Sequence, residues 1–263
     1  MAYDAHLHVD QYPPERREAL LAEAFAAGMR GIVAVSMDPD SCEETRLLAA
    51  AWPGQVMPAY GHHPEQPPLG PEALERLCGR IRRLAEAGEA FAIGEVGLPY
   101  YTRTEAEAGG EAFDEAPYLA QLDVFASLAA ELDRPIALHA VYEDADKALA
   151  VLDRHGVRRA HFHWYKGAPE TTARIAARGY FISLTPDVLY EPDIRELAAS
   201  YPLEQLMAET DGPWPFEGPF LGMETTPAMT LAVAREIAAL RGMELKAVEE
   251  TLDLNTAGFY GFV

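Results

Sequence analysis

The sequence predicts an α/β fold, a single (β/α)8 barrel of the TIM type spanning residues 1–263. Three observations point there. Short apolar runs alternate with longer helical patterns along the whole chain, the runs number eight, and histidine and carboxylate residues gather at their C-terminal ends. A length of 263 residues is within the range that α/β barrels reach as one domain, and no Ser/Gly-rich linker or internal repeat marks a second one. The competing fold, an open doubly wound sheet, calls for a glycine-rich phosphate turn after its first strand. "HVDQYPPE" is no such turn.

The predicted strands cover 5–9, 31–36 ("GIVAVS"), 56–60 ("VMPAY"), 91–95 ("FAIGE"), 135–139 ("PIALH"), 159–163 ("RAHFH"), 180–184 ("YFISL") and 205–208 ("QLMA"). Between them the apolar period changes from 2 to 3.6. In 71–88, Pro71 suits a first helical position, Leu74, Leu77, Cys78, Ile81 and Leu84 form one stripe, and Gly88 ends the pattern. The stretch 117–132 repeats the stripe with Leu119, Leu122, Phe125, Leu128, Ala129 and Leu132, and 15–28 also ends in glycine. Cys42 and Cys78 fall inside helical patterns with no partner motif and read as small buried hydrophobes.

Composition narrows the function. The chain carries 42 acidic and 21 basic residues, a net charge of −21, and its only lysines are Lys147, Lys166 and Lys246. Binding to nucleic acid through a basic surface is excluded, because that mode needs Lys and Arg against phosphates. A phosphate-bearing substrate would need local positive charge, for which bound metal ions are the evident source. No apolar run approaches the roughly 20 residues of a membrane span, no obligate protein partner is evident, and the N-terminus lacks a basic patch and apolar segment. The expected location is the cytoplasm.

"DAHLHVD" (4–10) places His6 and His8 two apart, on one face of a strand. Alone, the pair suits a half-buried strand as well as a metal site. Against the predicted strand ends, however, seven of the eight histidines share one rim: His6 and His8 after strand one, His62 and His63 after strand three, His139 after five, His161 and His163 after six. Glu95 ends strand four and Asp211 follows strand eight, while His155 belongs to a helix C-terminus. Imidazoles and carboxylates together are the ligands of zinc, manganese and related divalent ions.

The chain resembles the TatD family of metal-dependent hydrolases, within the amidohydrolase superfamily. "DAHLHVD", "GHHP", "IGEVGLPYY", "LAAELDRPIALH", "HFHWYKG", "ETDGP" and "NTAGFYG" occur in the family's order, nearly end to end. The resemblance implies two divalent ions (Zn, Mn or Mg) held by His6, His8, Glu95, His139, His163 and Asp211, with Glu95 bridging. His161 precedes the matching histidine by two and is expected beneath the site rather than in it. The expected catalytic residues are Glu95 and Asp211, the latter orienting a water and taking its proton or serving as ligand only. His63 matches the Gly-x-His-Pro element as a substrate-facing donor.

The chain also departs from the pattern. Pro99 replaces the acid of Gly-Leu-Asp, Val141 the arginine of His-x-Arg, and Glu224 stands where a cation is usual. The loops instead carry Tyr100, Tyr101, Trp164, Tyr165, Trp214 and Phe216, as a packed lid or an apolar pocket. Tyr100, Arg103, Trp164 and Lys166 join His63 as expected substrate contacts, with Arg103 and Lys166 as anchors for an anionic group. The family implies phosphodiester hydrolysis of the DNase kind. The aromatic loops and acidic charge instead favour a small-molecule amidohydrolase, lactonase or carboxylic ester hydrolase, and a non-catalytic metal-dependent binding protein is the third reading.

Overall fold

The computed structural model describes residues 2–262. Eight strands pair in parallel and in chain order: β1 (Ala2–Leu7), β2 (Met29–Ala34), β3 (Val56–Tyr60), β4 (Ala92–Gly97), β5 (Ile136–His139), β6 (Ala160–Phe162), β7 (Phe181–Leu184) and β8 (Leu206–Ala208). The intervening helices are α1 (Pro14–Ala26), α2 (Pro39–Ala51), α3 (Pro71–Glu86), α4 (Tyr100–Ala108), α5 (Ala116–Leu132), α6 (Asp144–His155), α7 (Pro169–Ala177), α8 (Pro192–Ser200), α9 (Thr230–Arg241) and α10 (Leu245–Tyr260). Proline opens α1, α2, α3, α7 and α8, where its missing N–H costs nothing.

β1 and β8 share no ladder of the kind that joins the other neighbours; side chains and loops close the ring there. Asp4 accepts from Thr210 N at 3.0 Å and from Thr210 Oγ1 at 2.5 Å. Asp211 N donates to His6 O at 2.9 Å, and His8 N to Gly212 O at 2.9 Å. Among the described residues the barrel is thus nearly closed, and the stitches of its seam lie beside the residues that carry chemistry.

The α3 stripe behaves as its period predicts: Leu77, Cys78 and Ile81 are buried, while Leu74 and Leu84 pack half-buried against the same core. Each full burial of this kind contributes about 1.5–3 kcal/mol. Both cysteines are buried and free, and burial pushes the Cys42 thiol up to about 11. A smaller cluster inside the ring joins Ala5, Val33, Met57, Ala92 and Met207 to Phe259 and Tyr260 of α10.

The structure corrects the predicted elements in several places. β1 begins earlier and ends at Leu7, so His8 is not a strand residue; it precedes a short 3-10 turn, Val9–Gln11. β2 and β4 are displaced by one or two residues, and His163 lies just past β6. Tyr100 and Tyr101 stand in the first turn of α4 rather than in a loop, since the polar run 100–108 has no apolar stripe to announce a helix. The β4–β5 connection holds two helices, and two more, α9 and α10, follow β8. No described helix is long and apolar enough to cross a membrane.

Candidate metal centre

Glu95 is the hub, and its position follows from small neighbours. A Cβ at Gly97 would overlap the His139 carbonyl oxygen, and one at Gly61 would lie 2.5 Å from Glu95 O. Glycine at these two places lets β3, β4 and β5 approach closely. The Glu95 carboxylate is fully buried, and each oxygen faces its own pair of imidazoles. Oε2 lies 3.1 Å from His6 Nε2 and 3.0 Å from His8 Nε2. Oε1 lies 3.2 Å from His139 Nδ1 and 2.7 Å from His163 Nε2. Asp211 Oδ1 completes the first set, 3.5 Å from His6 Nε2 and 3.4 Å from His8 Nε2.

The six residues that the resemblance implied therefore lie together: four imidazoles meet the Glu95 carboxylate, and Asp211 joins through His6 and His8. They fall into two groups, His6, His8 and Asp211, and Glu95, His139 and His163; two further groups bridge these, His8 with His63 and Glu95, and His6 with His163 and Glu209. His8 reaches the site although it is not in the strand, because the backbone bend after Leu7 turns it onto the oxygen that His6 faces.

The electrostatics suit a cation. Burial works against charge on Glu95, but the surrounding imidazoles, His163 foremost, hold its carboxyl well below the usual carboxylate range. Burial likewise opposes charge on His8, yet the neighbouring carboxylates of Asp211 and Glu95 outweigh it and lift that imidazole to about 10. His139 Nδ1 and His163 Nε2 face each other at 3.2 Å, and the His6 and His163 rings stack at 3.8 Å. Glu95 Oε1 and Asp211 Oδ1 are buried without a hydrogen-bond partner. Orphaned anionic oxygens and ring nitrogens converging on the same space are what divalent ions of the zinc class would satisfy.

Around this centre lie groups that sequence reasoning missed. Glu209 accepts from Trp164 N at 2.6 Å and Ser183 Oγ at 2.5 Å, and lies 3.5 Å from His163 Nδ1. Its signal was available: in "AETDGP" it alternates with Asp211 directly after β8. His161 hydrogen-bonds Ser183 Oγ and Tyr260 OH, each at 2.6 Å, rather than Glu95. Burial drives its pKa well below the ordinary value, so it is a neutral strut beneath the site. His63 Nε2 lies 3.5 Å from Glu95 Oε1, and burial pushes His63 down to about 3. His62 turns away to bond Pro67 O at 3.0 Å.

The matching family, described as TatD related DNase, spans residues 3–261. The chain belongs to the TatD family. It is 35% identical to a metal-dependent hydrolase of Haemophilus influenzae over 260 residues, 99% of each chain. It is 28% identical to the 3'-5' ssDNA/RNA exonuclease TatD of Escherichia fergusonii over 93% of each. Among solved structures, the TatD homolog YjjV of Escherichia coli K12 superposes with a TM-score of 0.81 at 27% identity, covering 99% of this chain and 98% of that one. A TatD family hydrolase from Entamoeba histolytica shares the fold, with a TM-score of 0.82 at 16% identity over 100% and 98% of the two chains. This TatD protein is thus a metal-dependent hydrolase.

Its departures from the family pattern now have structural surroundings. Pro99 is the N-cap of α4 and offers no side-chain acceptor; Glu65, from the loop after β3, takes the amides of Tyr101 at 2.9 Å and Thr102 at 2.7 Å. Val141 is buried, and Glu224 binds Arg16 at 2.9–3.1 Å on the surface. The expected anion anchors fare differently. Arg103 is not a free cation at the mouth: Glu143 at 2.9 Å and Asp144 at 3.0 Å hold its guanidinium, with Glu107 and Glu115 beyond. Acids at the start of α6 thus engage the residue from across the scaffold. Lys166 Nζ stands 3.4 Å from Asp187 and 5.0 Å from the centre of the Trp164 ring.

The mouth is aromatic. Trp164 donates its indole N–H to Asp187 at 2.6 Å and packs against Trp214 and Phe216. Across the rim, Tyr101 meets His139 edge-on, with ring centres 5.9 Å apart, and Tyr100 packs on Tyr101 and Tyr142. Tyr101 and Trp214 are 49% and 57% exposed, so both have apolar surface to offer a ligand, whereas Tyr165 is fully buried. Tyr142, Trp164 and Asp211 adopt left-handed backbone at this same rim, where such strain commonly accompanies function.

Proposed function

We propose that two divalent ions occupy this centre, one held by His6, His8 and Asp211, the other by His139 and His163, with Glu95 between them. The supporting observation is the division of the Glu95 carboxylate, each oxygen facing its own histidine pair. When bound, such a pair supplies an activated water at neutral pH and charge to polarise the scissile group. The protein's own residues do the rest. Burial opposes ionisation of Asp211, but the His8 imidazole beside it and the charges of His163 and His6 hold it below the usual carboxylate range. Asp211 is therefore an anion at neutral pH, placed to take a proton at a carboxylate oxygen. His63 accepts Glu65 N at Nδ1 (3.2 Å), which leaves a proton on Nε2 pointing into the site as a neutral donor to substrate.

The substrate is a phosphodiester of single-stranded nucleic acid, with bases stacking on the aromatics of the mouth, where the half-buried Tyr100 and Trp164 serve as contacts beside the exposed Tyr101 and Trp214. A second reading, a small-molecule ester, lactone or amide, is favoured by one observation: Arg103 and Lys166 are both engaged by carboxylates. One experiment separates them. Wild-type and Asp211→Asn protein, loaded with Zn²⁺ or Mn²⁺, are assayed on single-stranded and duplex DNA and on a panel of carboxylate esters and lactones. DNA cleavage that chelator and the variant both abolish supports the nuclease. Intact DNA beside metal-dependent ester cleavage moves the substrate to small molecules.

A further inference from the structure

Glu65 has no place in the ligand set, yet its carboxylate touches one member of it. Oε1 lies 3.1 Å from His139 Nε2, on the side of the ring away from Glu95, and also takes the Tyr101 amide. Oε2 takes the Thr102 amide. Thr102 Oγ1 donates to Glu65 O at 3.3 Å, so the loop and the first turn of α4 hold each other from both directions. Two backbone amides aimed at one carboxylate fix its position more firmly than a rotatable side chain could on its own.

We infer that Glu65 is a positioning residue for His139: it accepts the proton on Nε2, and so turns the lone pair of Nδ1 into the metal centre. The two ring nitrogens of a neutral imidazole have opposite roles, and a hydrogen bond to one decides which of them can ligate. Here Nδ1 is the nitrogen that faces Glu95 at 3.2 Å and His163 at 3.2 Å. The Nδ1–H tautomer would instead aim a proton at the ion and a lone pair at a carboxylate. Glu65 excludes it. The same carboxylate anchors the turn that carries Tyr101, whose ring meets His139 edge-on, so the histidine and the aromatic edge of the mouth share one support. The inference rests on the two-ion reading proposed above.

The test measures Zn²⁺ binding by competition with a chromophoric chelator on wild-type, His139→Ala, Glu65→Ala and Glu65→Gln protein. Histidine-ring NMR of the zinc-loaded wild type accompanies it. The wild type is expected to hold two ions, and His139→Ala to weaken one of them. Glu65→Ala should weaken that same ion by about 10–100-fold and leave the other unchanged. Glu65→Gln should recover part of the loss, because its amide oxygen in the Oε1 place still accepts from Nε2–H and the Tyr101 amide, while its NH₂ cannot accept from Thr102 N. The NMR should place the His139 proton on Nε2, with its resonance moving in Glu65→Gln when a neutral acceptor replaces a charged one. This readout stands even if Glu65→Ala does not fold.

A Glu65→Ala protein with undiminished affinity would overturn the inference, even with α4 amides exchanging faster, since that is the signature of a helix cap alone. Equal loss at both ions, an Nδ1–H tautomer, or an unmoved resonance in Glu65→Gln would overturn it too. A wild type that binds fewer than two ions, or a His139→Ala variant that keeps both unweakened, would remove the two-ion reading, and the inference with it.

Discussion

The seam between the first and last strands should be the most sensitive structural point of the barrel, and Asp4 is the residue with which to test it. Its carboxylate is fully buried and accepts three donors: Thr210 N at 3.0 Å, Thr210 Oγ1 at 2.5 Å and His6 N at 3.3 Å. Asp4→Ala leaves two backbone amides without acceptors in a space closed to water, while the hydroxyl is free to rotate elsewhere. At about 1–3 kcal/mol for each orphaned donor, the variant should lose roughly 2–6 kcal/mol. Asp4→Asn separates shape from chemistry. Its carbonyl still serves the amides and its NH₂ donates to the Thr210 hydroxyl. It also avoids burying a charge, a burden evident in the native carboxyl, which burial pushes well above the ordinary range. The Asn variant should lie within about 1.5 kcal/mol of wild type. Urea unfolding of metal-free protein at pH 7 measures both, provided the denaturant slope is unchanged. An Asp4→Ala loss under about 1 kcal/mol, or equal losses for Ala and Asn, would refute the reasoning.

Other predictions concern the struts and the ions. His161→Leu should cost about 1–3 kcal/mol, chiefly by stranding the Tyr260 hydroxyl, and leave the number of bound ions unchanged; unfolding and metal analysis check the two halves. Asp253, in α10, is raised to about 6, first by burial, with Arg30 partly offsetting it. An acid with a raised folded pKa weakens the fold as pH climbs from its unfolded value near 4 through 6. Asp253→Asn should therefore raise the unfolding free energy at pH 7.5, by no more than about 1 kcal/mol once solvent screening is allowed for, and leave it unchanged at pH 3, with Tm at the two pH values as the readout. Chelator should lower Tm, because each ion present at 100 times its Kd contributes about 2.7 kcal/mol. A Tm indifferent to chelator would count against resident ions.

How much of this could be read in the sequence depends on how distinctive each residue type is. Histidine is scarce and strongly placed here, so its gathering at the ends of the apolar runs was enough to point to the imidazoles that the fold brings together around Glu95. Carboxylates are abundant in so acidic a chain, and Glu65 and Glu209 did not stand out among them. Glu209 was recoverable from its alternation with Asp211. Glu65 was not: it sits in an irregular loop whose backbone path no periodicity encodes, and its partners lie 36 to 74 residues away. Strand ends slipped by a residue or two because turns and bulges, not apolar patterning, end them. The ion pairs of Arg103 were not legible for a further reason, since side-chain type says nothing about which neighbours a charge meets.

The broken ladder at the β8–β1 seam also orders events in time. Glu95, His139 and His163 have all been synthesised once residue 163 is added, whereas the set with His6 and His8 waits for Asp211, 48 residues later. At 5–20 residues per second that interval is roughly 2–10 s. On the two-ion reading proposed above, a newly made chain would have the ligands of one ion before those of the other, and the second would be captured only after the last strand arrives to meet the first. Metal loading at that place would double as a report that the barrel has been finished.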